Sequence, residues 1–168
     1  MTSVWSVDRP LAFSTGLLLI GVGFGIIANG PGNPVPSRAI DSQSAIFFFL
    51  RNVSVAGILY VGGITFGLLS TVTLLFNGFV IGFSINQSRI WYSLALIAPH
   101  GIIELPAFIL AGAAGLQFPV EVIAYFLGNQ EALVSRGALR HSGVRFGLAV
   151  LMLAVAAIIE ATITPLLL

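Results

Sequence analysis

The sequence predicts an all-α fold, a polytopic transmembrane helix bundle with about four spans plus short interfacial helices, formed as a single domain from residues 1–168. Three observations predict it. Hydrophobic residues make up 57% and charged residues 8%, and the mean hydropathy is +1.04, whereas soluble domains carry about a quarter charged residues. Several uncharged runs are long enough to cross a hydrocarbon core of about 30 Å. Stretches rich in polar residues, glycine or proline separate these runs.

Charge and cysteine content exclude several classes of function. A net charge of +1 gives no basis for binding nucleic acid, so we expect no nucleic-acid partner. The chain has no cysteine, which excludes disulfides, thiolate metal sites and thiol catalysis.

The first predicted span covers residues 11–28, and Pro10 suits its first turn. Gly21 and Gly25 form a GxxxG pair, which in a bilayer lets another helix approach closely. A loop follows, and Asp41 can cap a short helix over residues 42–51. Because that helix is too short to span, we predict that it lies at the membrane interface.

The second predicted span covers residues 53–85, about 33 residues or near 50 Å of helix, which exceeds one perpendicular crossing. The sequence therefore predicts a break near Asn77, because asparagine can bond its own backbone and the next residue, Gly78, accepts unusual dihedral angles. Two further GxxxG pairs predict close helix packing in this region: Gly63 with Gly67, and Gly78 with Gly82.

The third predicted span covers residues 90–116. Pro99 and Pro106 each remove a backbone donor, so together with Gly101 they predict a kink near His100. Gly112 and Gly115 add another small packing face.

Residues 119–145 are predicted to lie at the interface. Pro119 can start a short helix, and Arg136, Arg140 and Arg145 make the later part cationic. The last predicted span covers residues 146–168 and is uncharged except for Glu160.

Four spans place both termini on one side of a cell membrane. Under this arrangement the loops between the first two and the last two spans carry most of the arginines. The positive-inside rule then predicts a multi-pass protein with both termini outside.

Ionisable residues inside spans are rare and usually have a role. His100 and Glu104 are four residues apart and share a helix face. Counting about 1.5 Å per residue places Glu160 within about two helical turns of them in depth, and Asn77 in the outer half of the second span. The sequence thus predicts an intramembrane polar cluster of His100, Glu104, Glu160 and Asn77.

Three interpretations of this cluster remain open. We favour a hydrogen-bond network that holds the third span to the second and fourth. The second is a proton or solute pathway in a transporter or channel subunit. The third is a metal-dependent enzyme in which His100, Glu104 and Glu160 bind zinc or another divalent metal. HExxH and GxSxG motifs are absent from the sequence, so we assign no cofactor and expect no enzymatic activity.

Three motifs occur in order: Asn77-Gly78, then the string HGxxExPA from His100 to Ala107 with Gly112 and Gly115 following, then Glu160 with Thr164-Pro165. Together they resemble the stage II sporulation protein M family of integral membrane proteins, over residues 47–165. One departure is that the family tends to carry an asparagine pair before its second span, where this chain has Arg51-Asn52.

The resemblance implies a membrane scaffold. In spore-forming bacteria the family's namesake is similar to a scaffold that gathers peptidoglycan-degrading enzymes at the septum during engulfment. We therefore expect this chain to act in the lipid bilayer as a non-enzymatic scaffold or complex subunit, as a homo-oligomer or with another membrane protein.

Overall fold

The structure, a computed structural model, describes residues 5–28, 44–87, 90–163 and 166, and every regular element in these ranges is a helix. This confirms the all-α fold. The described ranges contain five α-helices, with a 3₁₀ turn, Gly62–Thr65, between the second and third: α1 (Trp5–Ala28), α2 (Ala45–Val61), α3 (Leu68–Gln87), α4 (Ile90–Phe126) and α5 (Arg136–Thr162).

Among these residues, five helices are long and apolar enough to cross a membrane, close to the four predicted. The additional span is α2. The predicted interfacial helix 42–51 forms the start of α2, and the candidate span Ala45–Thr65 is 21 residues long. The predicted second span, 53–85, is therefore divided between α2 and α3. This division explains why the uncharged run is longer than one crossing requires.

The break in this region lies at residues 62–67, and the predicted break near Asn77 is wrong. Phe66 and Gly67 have positive φ angles of 56° and 85°, which turn the chain between the two helices. Asn77 instead lies inside α3, where its Nδ2 donates to the Thr73 carbonyl at 2.8 Å. A bond to its own helix satisfies the amide without interrupting the backbone pattern.

Helix α4 is the longest at 37 residues and continues through Pro99, Pro106 and Pro119. The helix thus continues past residue 116, the predicted end of the third span, and no separate interfacial helix covers the described residues 119–145. The first part of that segment belongs to α4, residues 127–135 connect the helices, and the last part belongs to α5. Gly128, with φ of 73°, follows the end of α4. A proline inside a membrane helix is tolerated when neighbouring elements satisfy the carbonyl it frees.

The helices alternate in direction. Gly21 and Gly25 of α1 lie against Leu75 and Phe79 of α3, in the same order along both chains, so α1 and α3 are parallel. Helix α2 is antiparallel to α5, since Tyr60 near its end stacks on Phe146 near the start of α5, with ring centroids 4.3 Å apart.

Helix α4 is the centre of the bundle. In the apolar stretch of α4 that could span a membrane, 67% of the residues are buried, against 22–33% in the corresponding stretches of the other four helices. Four of its alanines are fully or almost fully buried and let neighbouring helices come close: Ala107, Ala111, Ala113 and Ala114. Leu59, Leu74 and Leu153 from α2, α3 and α5 complete the apolar core around it.

The alternation gives the bundle two distinct ends. We call the end that holds the start of α1, the 3₁₀ turn and residues 127–135 the hairpin end, and the other the far end. Trp5 and Thr162 lie at opposite ends of the bundle, so the architecture does not support both termini on one side. Nor does it group the arginines as predicted, because Arg136 and Arg140 start α5 at the hairpin end whereas Arg51 lies in the far half of α2.

Candidate functional site

Glu104 of α4, one of the four residues of the predicted cluster, contacts α2. The Asn52 side chain of α2 donates a hydrogen bond to the Glu104 carboxylate, and Arg51 lies close enough to interact with its charge. Asn52 is buried, with 8% of its surface exposed. The chain's Arg51-Asn52 pair thus contacts the motif that carries the family resemblance.

Glu160 reaches the same region from the last turns of α5. Its carboxyl group lies within electrostatic range of Glu104 and Arg51, and all three residues lie toward the far end of the bundle. Three helices therefore contribute one cation, two carboxyl groups and one amide.

His100 is half-buried one helical turn before Glu104 on α4. However, among the described residues, which include His100, Glu104 and Glu160, no three histidine, cysteine or acidic side chains are placed to hold a metal ion. The proposed zinc ligand set is not assembled. Asn77, the fourth predicted member, donates to the backbone of α3.

Of the predicted kink residues, Gly101 is buried and Pro106 is exposed on a helix that continues through both. A bend of the helix axis near His100 stays a prediction.

Four of the predicted packing glycines join α1 to α3. A Cβ added to Gly21 would collide with the Leu75 carbonyl oxygen, and one added to Gly25 with that of Phe79. From the opposite helix, a Cβ on Gly78 would meet the Leu18 carbonyl and one on Gly82 the Val22 carbonyl. The two backbones therefore touch along two helical turns, which only glycine allows at these positions.

The other four glycines surround the hairpin end of α4. An added Cβ at Gly63 would lie 2.8 Å from the Gly115 carbonyl oxygen, which lacks its usual helical donor because residue 119 is proline. Cβ atoms at Gly115, Gly112 and Gly67 would meet the Leu59 carbonyl, the Ser14 hydroxyl and the Leu116 side chain, respectively.

A second polar network, which the sequence analysis missed, lies within the hairpin half of the bundle. Glu121 of α4 is completely buried, and Gln117 and Arg145 are 3% and 7% exposed. Arg145 Nη1 donates to Gln117 Oε1 at 2.7 Å, and Gln117 Nε2 donates to Glu121 Oε1 at 3.2 Å. Gln117 thus bridges a buried cation and a buried carboxyl group.

The same carboxyl group organises the start of α5. The backbone N–H and hydroxyl of Ser135 both donate to Glu121 Oε2, at 3.3 and 3.1 Å. Ser135 in turn caps α5 by accepting from the Ala138 N–H at 3.1 Å. A carboxylate at this position also complements the positive end of the helix dipole. Gln130 donates to the Glu121 carbonyl at 2.8 Å and closes the connection over the network.

One signal could have revealed this network. Gln117 and Glu121 are four residues apart, the same spacing as His100 and Glu104, and so share a face if the helix continues. Pro119 lies between them and favours the start of a new helix, so the sequence alone separates the pair.

Three buried serines also join helices through backbone carbonyls. Ser14 of α1 donates to Ile109 at 2.8 Å, Ser70 of α3 to Leu59 at 2.7 Å, and Ser142 of α5 to Ala114 at 2.8 Å. Among the described residues, no buried side-chain nitrogen or oxygen lacks a hydrogen-bond partner.

Comparison with known proteins supports the family resemblance seen in the sequence. Residues 12–165 match the sequence model of the family described as Stage II sporulation protein M. The chain is also 28% identical over 170 residues to a protein of Methanocaldococcus jannaschii named uncharacterized protein MJ0793, covering 93% of this chain and 94% of the relative. No solved structure matches significantly.

Proposed function

The chain belongs to the stage II sporulation protein M family of multi-pass membrane proteins, and on that premise we propose that it acts as a non-enzymatic scaffold or complex subunit. The observation that carries the proposal is how the interior polar groups are used. Buried Ser14, Ser70, Ser142, Gln117 and Glu121 all bond within the bundle. Such bonds hold helices in place and leave the exterior of the bundle to meet other molecules.

The exterior fits that role. Large apolar side chains are exposed along three helices, including Phe24 and Ile27 of α1, Phe76 of α3, and Leu151 of α5. In a bilayer such faces contact lipid or another membrane protein, and no hydrophobic force between helices decides which. We propose that part of this exterior binds a second copy of the chain or another membrane protein.

Photo-crosslinking can test the proposal. A photoreactive amino acid would replace Phe24, Phe76 or Leu151, one at a time, in the protein expressed in its native membrane. A scaffold gives discrete protein adducts from one helix face, and their mass separates self-association from a different partner. Adducts with lipid alone from all three faces would count against the scaffold.

A second candidate, a transporter or channel subunit, is favoured by one observation. Glu104, Glu160 and Arg51 converge from three helices, and both carboxyl-bearing residues are only partly buried. Titratable groups grouped inside spans often mark proton or solute pathways. The test is flux in proteoliposomes: a pathway predicts measurable proton flux that Glu160→Gln abolishes without changing thermal stability. The scaffold predicts no flux in either protein.

For orientation, we propose that the hairpin end faces the cytoplasm. It carries Arg9, Arg136 and Arg140, with Arg145 in the network behind them. Arg51 lies toward the far end, and Arg38 and Arg89 fall in sequence between helices that connect there. The positive-inside rule then favours the hairpin end by four arginines to three.

A further inference from the structure

An apolar groove opens on the side of the bundle near the hairpin end. Its volume is about 440 Å³, and it lies between the end of α2 with the 3₁₀ turn, the middle of α4, and the first turns of α5. Tyr60, Ile64, Phe118 and Leu139 line it. The hydroxyl of Ser142, also in the lining, is already bonded to the Ala114 carbonyl. The walls therefore suit a hydrocarbon chain better than a polar solute.

The position of the groove along the bundle axis determines what kind of molecule can enter it. The 3₁₀ turn ends α2 beside it, and α5 begins one turn before Leu139, so one end of the groove lies where the helices end. Tyr60 lines this region and is 37% exposed, as expected of an interfacial tyrosine. A molecule in the groove can thus have its apolar part in the bilayer and its polar part at headgroup depth.

Two arginines are close in sequence to Leu139, which lines the groove, in the first two turns of α5. Arg136 and Arg140 are exposed residues on the first turns of α5, on either side of Leu139 in sequence. Four residues apart, they share a helix face. The nearby buried charges do not compete for them, because Glu121 bonds to Gln117 and Ser135, and Arg145 bonds to Gln117. Guanidinium groups bind phosphate through paired hydrogen bonds, which suits an anionic phosphate ligand.

We propose that this groove is a binding site for an anionic phospholipid, with one hydrocarbon chain between α2, α4 and α5 and the phosphate held by Arg136 and Arg140. Charge complementarity selects this occupant over a zwitterionic lipid. Basic pockets between membrane helices bind anionic headgroups by the same chemistry. The site is independent of whether the protein acts as a scaffold.

The first test measures lipid binding by native mass spectrometry of the detergent-purified full chain, titrated with phosphatidylglycerol or with phosphatidylcholine of the same chain length. We expect phosphatidylglycerol to bind more tightly. The double variant Arg136→Gln, Arg140→Gln should lose this preference, by about fivefold for each arginine. The matched control is Arg38→Gln, Arg89→Gln, which removes two arginines elsewhere in the sequence. Equal binding of the two lipids, or an equal loss in the control, would overturn the proposal.

The second test fills the groove. Leu139 lines it and is 62% exposed, so Leu139→Trp can extend into the space without displacing the core. We expect this variant to retain less phosphatidylglycerol. Leu151→Trp, on the same helix at 66% exposure but outside the groove, should retain as much as the parent. If glycerol phosphate alone competed as well as the intact lipid, the site would be one for free phosphate and the groove assignment would be wrong. Unchanged retention in Leu139→Trp would likewise refute the assignment.

Discussion

Arg145 Nη1 lies 2.7 Å from Gln117 Oε1, and this hydrogen bond joins two helices through residues 28 positions apart in sequence. The partner of Gln117 on its other side is the fully buried Glu121. The contact between α4 and α5 therefore depends on polar groups shielded from water and lipid, where the loss of one partner is costly.

Replacing Arg145 with methionine should lower the free energy of unfolding by about 1 to 3 kcal/mol, because the Gln117 oxygen loses its donor inside the bundle. Thermal unfolding in detergent would measure the loss. Arg140→Met, an exposed arginine on the same helix, should change stability by less than about 0.5 kcal/mol. Adding Gln117→Leu to Arg145→Met should cost less than the sum of the single changes, since the two side chains act together. Full additivity would show that the bond contributes nothing.

Gly78→Ala should destabilise the protein, by about 1 to 3 kcal/mol, because the new methyl group would push α3 away from the α1 backbone. The control is Gly23→Ala, since no atom lies within 4 Å of an added Cβ there. Alanine is the better helix former by about 1 kcal/mol, so this control should match or exceed the parent. Equal melting temperatures for the two variants would argue against close contact between α1 and α3.

Ser70→Ala removes the hydroxyl that joins α3 to the Leu59 carbonyl of α2. We expect a loss of about 0.5 to 1.5 kcal/mol, the range for a single hydrogen bond of this kind. Ser54→Ala provides the comparison, because the Ser54 hydroxyl donates only within its own helix, to Leu50 at 2.6 Å. Chemical unfolding of both variants would compare them, and a Ser54 effect as large as that of Ser70 would contradict a link between helices.

Gly67 and Gly128 separate the cost of backbone conformation from that of packing. Both have positive φ, 85° and 73°, so alanine is strained at each by about 1 to 2 kcal/mol. Only at Gly67 would the new Cβ also crowd a neighbour, 2.8 Å from Leu116 Cδ2. Gly67→Ala should therefore lower the melting temperature further than Gly128→Ala. A larger loss of melting temperature for Gly128→Ala than for Gly67→Ala would contradict the close contact at Gly67.

Cysteine labelling can test the number of crossings, and the native chain adds no background because it contains no cysteine. Single cysteines at Ile64 and Gly128 should react with an impermeant reagent from one side of the membrane, and those at Ser44 and Ile163 from the other. If positions 44 and 64 reacted from the same side, α2 would not cross and the four-span arrangement would be restored.

The sequence predicts most of the fold because long apolar runs report directly on membrane crossing. The predicted first span, residues 11–28, lies within α1. Several glycines that the sequence singles out lie between helices in the structure. It does not locate the turn between α2 and α3, because residues 62–67 carry no charged residue and no proline, asparagine or aspartate, which mark a loop in water. The turn is specified by glycines that allow close approach and positive φ, a signal shared with plain helix packing.

Of the two polar sites, the sequence singles out candidate residues for one and misses the other. The spacing of His100 and Glu104 is visible because no proline falls between them, whereas Pro119 hides the equivalent pair of Gln117 and Glu121. The sequence also gives no reason to place Arg51 near Glu104, because that proximity depends on how α2 packs in the bundle. Local patterns identify candidates, but pairing across helices depends on directions that only the assembled bundle defines.

The uncharged turn between α2 and α3 bears on how the protein enters the membrane. Topology signals are read from basic residues beside each hydrophobic segment, and residues 62–67 offer none. Insertion of α2 alone would leave the glycine-rich turn without the Ser70 bond to Leu59 that closes it. The two helices are therefore expected to enter the bilayer as one hairpin during synthesis, so that α2 is committed to its orientation only after α3 has left the ribosome.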